Sequence, residues 1–434
     1  MPFLTLLAIT LISLSVVSRA TCFIIGRKQG VYENCYPKNQ SLDHNPTSRL
    51  RKLKANPEPW SCIATLDSER DGDDVGIQFV GNSEISSQNG MRYSLSSPRE
   101  WMEAIEAQHG RHGAYTVMRC DLKSNSKLDE NGMGAVRLWG KQFHLDRISS
   151  SYQKMILSST STTNAASTSA ASIAVADDKS KAIIDAIITH ARKVLTFEGS
   201  ADQVKVIMIT LLWQSQNTNH PNDILVRGHA FCTNLSSIPT EYDPIPTMAT
   251  IAIPKNESTQ LPSRYNHMPK AKLSSWCSER RPIEQEFKIP DTGEIILSRS
   301  SKLKQVKTFE LLEGLTSNLF VVYSDGTIRT PSDAVLDGFA RQLVMASAER
   351  HGLQVSNDPI TLEDAKNGLW AEVFLTSSIR IIIPVGNVMI PDYTKEGEVT
   401  FKQIWSESPL STIPWKLRRW KLLYEDIIHF INIP

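Results

Sequence analysis

The sequence predicts a mixed α/β protein of two lobes, with α+β segregation of some elements, and three observations carry that expectation. The chain has 434 residues and 41% hydrophobic side chains, enough for two apolar cores. Its second half alternates β-rich runs with helical segments, as at Leu319–Tyr323, Asp337–His351 and Ala371–Thr376. Between the halves lies the proline-punctuated stretch 238–262, which reads as an interdomain linker.

The N-terminus reads as targeting sequence. Pro2 to Val17 carries no charged side chain, and Ser18-Arg19-Ala20 places small residues at the −3 and −1 positions, so 1–20 reads as a secretory signal peptide. Residues 21–58 are rich in Arg, Lys, Asn, Ser and Pro, with Glu33, Asp43 and Glu58 as the acids. They read either as the transit-like half of a bipartite plastid leader, with Phe23 just past the cut, or as a disordered spacer. The expected destinations are a complex plastid, or the secretory lumen and exterior. No later apolar run reaches the ~18–20 residues of a membrane helix, so no stable membrane insertion is expected after signal cleavage. With 47 basic and 46 acidic residues, the chain gives no case for a nucleic-acid partner. Cysteines 22, 35, 62, 120, 232 and 277 show no CxxC pair or metal-ligand spacing, and no metal site is expected. An even count behind a signal peptide permits disulfides.

The first lobe is expected over 59–237. A capped, proline-led helix begins at Ser97 and runs to His109, with Trp101, Met102 and Ile105 on its apolar face. Gly113–Cys120 and Val136–Trp139 read as strands, and Phe143–Ile148 opens a helix. Residues 158–172 are Ser/Thr/Ala-rich and read as a flexible insertion. Lys179–Leu195 is amphipathic through Ile183, Ile184, Ile187 and Ile188. Val204–Trp213 and Ile224–Phe231 read as buried strands. The second lobe is expected over 263–400. There Thr361 and Asp364 form a capping box, and 401–434 reads as an irregular C-terminal extension.

Several segments carry possible chemistry. Glu313 stands in a small-polar loop that leads into the apolar run Leu319–Tyr323, where a held carboxylate can ion-pair a protonated ring nitrogen. Leu336-Asp337-Gly338-Phe339-Ala340-Arg341 opens a helix, whose free backbone N–H groups and positive dipole end suit a phosphate. Thr376-Ser377-Ser378 ends a strand with three hydroxyls. Each segment alone is commonplace: a charged loop residue, a glycine-led helix start, a Ser/Thr turn.

Their order and spacing over Leu312–Val385 resemble the class IV aminotransferases. These fold-type IV pyridoxal-phosphate enzymes include branched-chain and D-amino-acid aminotransferases and aminodeoxychorismate lyases. Gly113–Arg119 resembles the family's early strand, and His144-Leu145-Asp146-Arg147-Ile148 its His-Leu-x-Arg-Leu helix start. Pro269–Trp276 resembles the segment that carries its lysine, and the following Trp276–Pro282 is similar to a eukaryotic branch.

The resemblance implies a smaller N-terminal and a larger C-terminal domain, with pyridoxal 5'-phosphate between them. Lys272 would form the Schiff base, with Lys270 as its rival two residues away, and would shuttle the substrate's proton. Glu313 would pair with the pyridine nitrogen. Arg147, the backbone at Phe339 and Ala340, and the Ser377 and Ser378 hydroxyls would hold the phosphate, and Ser317 and Asn318 would complete the cofactor site. Tyr115 and Arg119 would face the substrate. Substrates would be an amino acid, branched-chain or D, and a 2-oxo acid, and the chain would pair as a homodimer. The alternatives are an aminodeoxychorismate lyase that releases pyruvate to form p-aminobenzoate, and a non-catalytic member of the fold. Departures from the pattern are Leu315 for a small residue, Phe339 for an aliphatic one, one residue fewer between Thr330 and Leu336, and an insertion after Ile148.

Overall fold

The computed structural model describes residues 60–66, 76–80, 84–86, 92–94, 98–109, 112–122, 136–161, 177–189, 204–215, 224–235, 246–254, 268, 270–303, 306–393, 399–407 and 418–432. The expected signal peptide, the leader and most of the Ser-rich segment lie outside the described residues. All described residues belong to one compact unit, Leu50–Pro434.

The architecture is mixed α/β, built on two main sheets. The first has six strands in the order Gly76–Val80, Trp60–Leu66, Ile224–Leu235, Val204–Ser215, Ala114–Leu122, Val136–Leu138, each antiparallel to its neighbours. Helix Lys141–Ser161 packs against Ala114–Leu122. The 177–189 helix buries Ile183, Ile184, Ile187 and Ile188, the apolar stripe expected from its 3.6-residue period.

The second sheet follows the order Val355–Ser356, Ile328–Arg329, Asn318–Tyr323, Trp370–Ser377, Ile381–Tyr393, Thr247–Ala252, Thr292–Leu303, Val306–Gly314, Ile360–Thr361. A further pairing, Glu313 opposite Asn318, joins Val306–Gly314 to Asn318–Tyr323 and closes six of these strands into a ring. Closure explains why the strands read as uninterrupted apolar runs. In Asn318–Tyr323, Leu319, Val321 and Tyr323 enter one core with Ala249, Ile251, Leu311 and Leu375. Phe320 and Val322 enter another, beneath helix Phe339–Arg350. Both faces are buried, so the period of two leaves no polar trace. The Phe320 and Phe374 rings stack across neighbouring strands at 5.0 Å.

Several expectations are corrected here. The stretch 238–262 is not simply a linker, because Thr247–Ala252 is a strand in the middle of the second sheet, parallel to both neighbours. Its prolines, Pro246 and Pro254, flank the strand rather than interrupt it, as a central strand requires. The end of the chain is not irregular. Val399–Ser406 pairs with Ile381–Tyr393, and helix Arg419–Asn432 buries Trp420, Leu423, Tyr424 and Ile427 in the core under helix Phe339–Arg350. Glu372 accepts the free N–H groups of Arg419 and Trp420 at 3.2 and 3.3 Å, capping that helix from a neighbouring strand. Glu313 is the penultimate residue of a strand rather than a loop residue. Helix Lys141–Ser161 runs into the first residues of the segment read as an insertion. The Thr361 capping box is present, with Asp364 N–H donating to Thr361 Oγ1 at 3.1 Å.

Candidate active site

The two sheets meet at one cavity of about 300 Å³. Its lining includes Tyr115, Arg147, Lys272, Glu313, Ser317, Asn318, Ala340, Ser377 and Ser378, nine of the residues expected from the sequence. Phe339 and Arg119 are not part of the lining.

Lys272 lies in an extended segment clipped to strand Ala114–Leu122. Tyr115 N–H donates to Lys272 O at 2.9 Å, and Gly113 and Ser274 exchange two bonds of 2.8 Å. Lys272 N–H donates to Ser151 Oγ at 3.0 Å, and Ser151 Oγ donates to Arg147 O at 2.8 Å. The lysine backbone is thus tied to the strand that carries Tyr115 and to the helix that carries Arg147. Its Nζ stands 4.6 Å from the Tyr115 ring centroid, within cation–π range. Lys270 is exposed and lies off the cavity, so placement separates the two rivals.

Glu313 is 3% exposed. Its Oε2 accepts Leu336 N–H at 2.9 Å and Asn318 Nδ2 at 3.2 Å, and Asn318 Nδ2 also donates to Leu336 O at 2.7 Å. These bonds fix the carboxylate at the seam that closes the ring. Beside it, the turn 315–317 is held by a carboxylate that the sequence did not single out. Buried Glu294 accepts Thr316 Oγ1 at 2.6 Å and Ser317 Oγ at 2.9 Å. Ser317 therefore braces the turn with its hydroxyl. Leu315, the departure from the family pattern, fits because its side chain joins Trp276, Ile283, Phe287 and Ile295 in an apolar cluster. Trp276 Nε1 donates to its carbonyl at 2.7 Å.

The third part is a cup of donors. Gly338 and Ala340 from the start of helix Phe339–Arg350 lie beside Thr376, Ser377, Ser378 and Arg147. Gly338 is needed for close approach, since a Cβ there would stand 2.1 Å from Asn318 Oδ1. Phe339 supports the cup from behind, its ring against Phe143 and His144 at centroid distances of 5.6 and 5.3 Å. It also fills the space over Gly140, which has φ +60° and no room for a Cβ. The aromatic thus packs together the helix starts that carry Arg147 and Ala340.

Arg147 Nη2 donates to Thr116 Oγ1 at 2.9 Å and to His144 Nδ1 at 3.1 Å. A guanidinium can only donate, so Nδ1 accepts in that contact. Burial, then the nearby charges of Arg147 and Lys272, hold His144 well below its ordinary value, as a neutral ring. Thr376 Oγ1 is buried, lines the cavity and has no hydrogen-bond partner among the described residues. A phosphate would satisfy it, and the helix start, the guanidinium and the hydroxyls form a donor set suited to such a dianion. The residues present therefore fit a pyridine-ring cofactor that carries a phosphate.

Arg119 sits farther along the strand from Tyr115 and Val117, with its guanidinium 4.4 Å from the Trp139 ring centroid. Its expected place facing substrate is not where the structure puts it. Arg99, Cys277 and Arg280 line the cavity without having been expected there. Arg280 lay within the Trp276–Pro282 segment that carried the resemblance, which was the available signal.

Residues 304–388 match the amino-transferase class IV family. Over 104 residues the chain is 30% identical to a Methanocaldococcus jannaschii protein whose name assigns it provisionally to the branched-chain-amino-acid aminotransferases. That match spans 22% of this chain and 35% of the relative. Among solved structures, the fold IV-transaminase CpuTA1 of Curtobacterium pusillum aligns with TM-score 0.47 and 14% identity, covering 76% of this chain and 92% of that one. The branched-chain aminotransferase of Thermoproteus uzoniensis, solved with norvaline, aligns with TM-score 0.47 and 15% identity, covering 75% and 87%. The match to the amino-transferase class IV family is confined to residues 304–388, a span that includes Glu313, Asn318, the Gly338 helix start and the Ser377–Ser378 turn.

Proposed function

We propose that the protein is a pyridoxal-phosphate-dependent aminotransferase that moves an amino group between an amino acid and a 2-oxo acid. One observation carries this reading: a lysine, a buried carboxylate and a donor cup, all distant in sequence, line a single cavity. A bound pyridoxal phosphate supplies a carbonyl that condenses with amines and a ring that accepts electrons from the substrate's α-carbon.

The chain's own residues do the rest. Lys272 would hold the cofactor carbonyl through Nζ and, as a free amine, would be placed to take the substrate's α-proton and return it. The Tyr115 ring beneath Nζ limits its travel. Glu313 would keep a proton on the ring nitrogen, and its bonds from Leu336 and Asn318 keep it from turning away. Arg147 and the Ala340 helix start would hold the phosphate. Thr116 and His144 fix the Arg147 fork, and the neutral imidazole adds no charge to compete with it. Phe339, Val117 and Leu315 contribute apolar walls or backing that keep water from the reacting atoms.

The lyase uses the same lysine and cofactor, so the products decide between the two. We expect the cofactor-loaded protein to consume a 2-oxo acid in proportion to the amino acid deaminated. Release of pyruvate from aminodeoxychorismate, with no 2-oxo acid requirement, would replace this reading with the lyase. Targeting by the N-terminal leader and assembly as a homodimer complete the proposal, supported by the leader's composition and the family resemblance.

A further inference from the structure

Two guanidinium groups besides Arg147 line the cavity, and they differ in how they are held. Every nitrogen of Arg99 has an acceptor. Nε donates to Glu103 Oε1 at 3.1 Å, Nη1 to Glu284 Oε2 at 2.6 Å and Nη2 to Cys277 O at 3.1 Å. Arg280 is held only by an ion pair, with Nε 3.1 Å from Glu284 Oε1 and no hydrogen bond formed there. Among the described residues its terminal nitrogens have no protein acceptor. Yet its side chain is only 13% exposed. A guanidinium largely withdrawn from water, with its fork unanswered, is costly unless a ligand completes it.

The placement relative to Lys272 fits a second subsite. The His144 ring feels the charges of Arg147 and Lys272, and the Cys277 thiol, itself raised chiefly by burial, feels those of Arg280, Lys272 and Arg99. Arg147, Lys272 and Arg280 share the cavity lining, with Arg147 three residues after His144 and Arg280 three residues after Cys277. Cys277 and Tyr115 belong to one apolar cluster, whereas Phe339 behind the phosphate cup belongs to another. Glu284 lies one helical turn after Arg280; its Oε2 accepts from Arg99 Nη1 and its Oε1 ion-pairs the Arg280 guanidinium, which anchors the base of the Arg280 fork.

We propose that Arg280 docks the carboxylate of the substrate, with Glu284 and Arg99 as positioning residues that aim its terminal nitrogens into the cavity. The inference rests on the aminotransferase reading and narrows it: the site takes amino and 2-oxo acids and discriminates against amines that lack a carboxylate. A planar fork meeting a carboxylate with two bonds gives direction as well as attraction, which a lysine at the same place would not.

The test uses the full chain loaded with pyridoxal phosphate, as wild type, Arg280→Met and Arg280→Lys. Calorimetry measures binding of 4-methylpentanoate, an unreactive carboxylate, and of its neutral amide, 4-methylpentanamide. Wild type is expected to bind the carboxylate roughly 10- to 100-fold more tightly than the amide, the range for hydrogen bonds to a charged partner. Arg280→Met should abolish the preference and Arg280→Lys should retain only part of it. Cofactor absorbance should be the same in all three proteins. Absence of bound cofactor would refute the aminotransferase reading, whereas bound cofactor with a carboxylate preference intact in Arg280→Met would overturn the role of Arg280. If Arg280→Met does not fold, the Lys variant decides, because an unchanged preference there excludes two-bond docking.

Discussion

Replacing Glu313 separates its charge from its shape. The carboxylate is 3% exposed, and Oε2 accepts from Leu336 N–H and Asn318 Nδ2. In Glu313→Gln an amide oxygen of nearly the same position can still accept both bonds. The fold should therefore lose little, within about 1 kcal/mol. What disappears is the negative charge facing the cavity. A hydrogen bond to a charged group is worth about 1.5–3 kcal/mol, so kcat/KM for transamination should fall roughly 10- to 150-fold. Glu313→Ala removes shape as well, leaving the buried Leu336 N–H without its acceptor and Asn318 Nδ2 with Leu336 O alone. At about 1–3 kcal/mol for a buried donor left unsatisfied, this variant should also be measurably less stable. The assays are urea denaturation and steady-state kinetics at saturating cofactor. A Gln variant within about twofold of wild-type kcat/KM would refute the assignment of Glu313 to the ring nitrogen, whatever its stability.

Three other consequences follow from the same geometry. Gly338→Ala places a Cβ 2.1 Å from Asn318 Oδ1, so the helix start must move away from the Glu313 brace; cofactor affinity should fall at least roughly tenfold in a spectroscopic titration. His144 has a depressed folded-state pKa, so its contribution to stability is present above about pH 6.5, the unfolded value, and is lost as the pH falls below it toward the folded value. Below that point wild type should lose up to about 1.4 kcal/mol per pH unit more than His144→Gln in urea melts, and parallel curves for the two proteins would contradict the neutral buried imidazole. Asp426 accepts Ser347 Oγ at 2.6 Å and pairs with Arg350 and His351, pinning the C-terminal helix to helix Phe339–Arg350. Asp426→Ala should cost about 1–2 kcal/mol in denaturation and make residues 419–432 cleavable first in limited proteolysis.

Much of the second lobe was legible because its local signals agree with its tertiary role. The Thr361 capping box, the glycine-led helix and the apolar strand after Glu313 all appear where the sequence puts them. Thr247–Ala252 was misread because its six residues, small or β-branched apart from Met248, carry no period, and only the pairing of distant strands shows that they are central. The C-terminal helix was hidden for a related reason: its N-terminus is capped by Glu372, 47 residues upstream, not by a neighbour. At the site, the residue types that bear chemistry were visible, and the ones that position them were not. Thr116, Ser151 and Glu294 act through bonds to residues far along the chain, which leave no spacing in the sequence. Arg119 was misplaced because a strand face continues past the cavity, and residue parity does not reveal where the cavity ends.

The central claim is that Lys272 carries the cofactor. The direct measurement is borohydride reduction of the protein incubated with pyridoxal phosphate, followed by proteolysis and mass spectrometry of the modified peptide. A pyridoxyl phosphate adduct on Lys272, and its absence from a folded Lys272→Ala variant, is the predicted result. An adduct on exposed Lys270 or another lysine, or none at all, would contradict it.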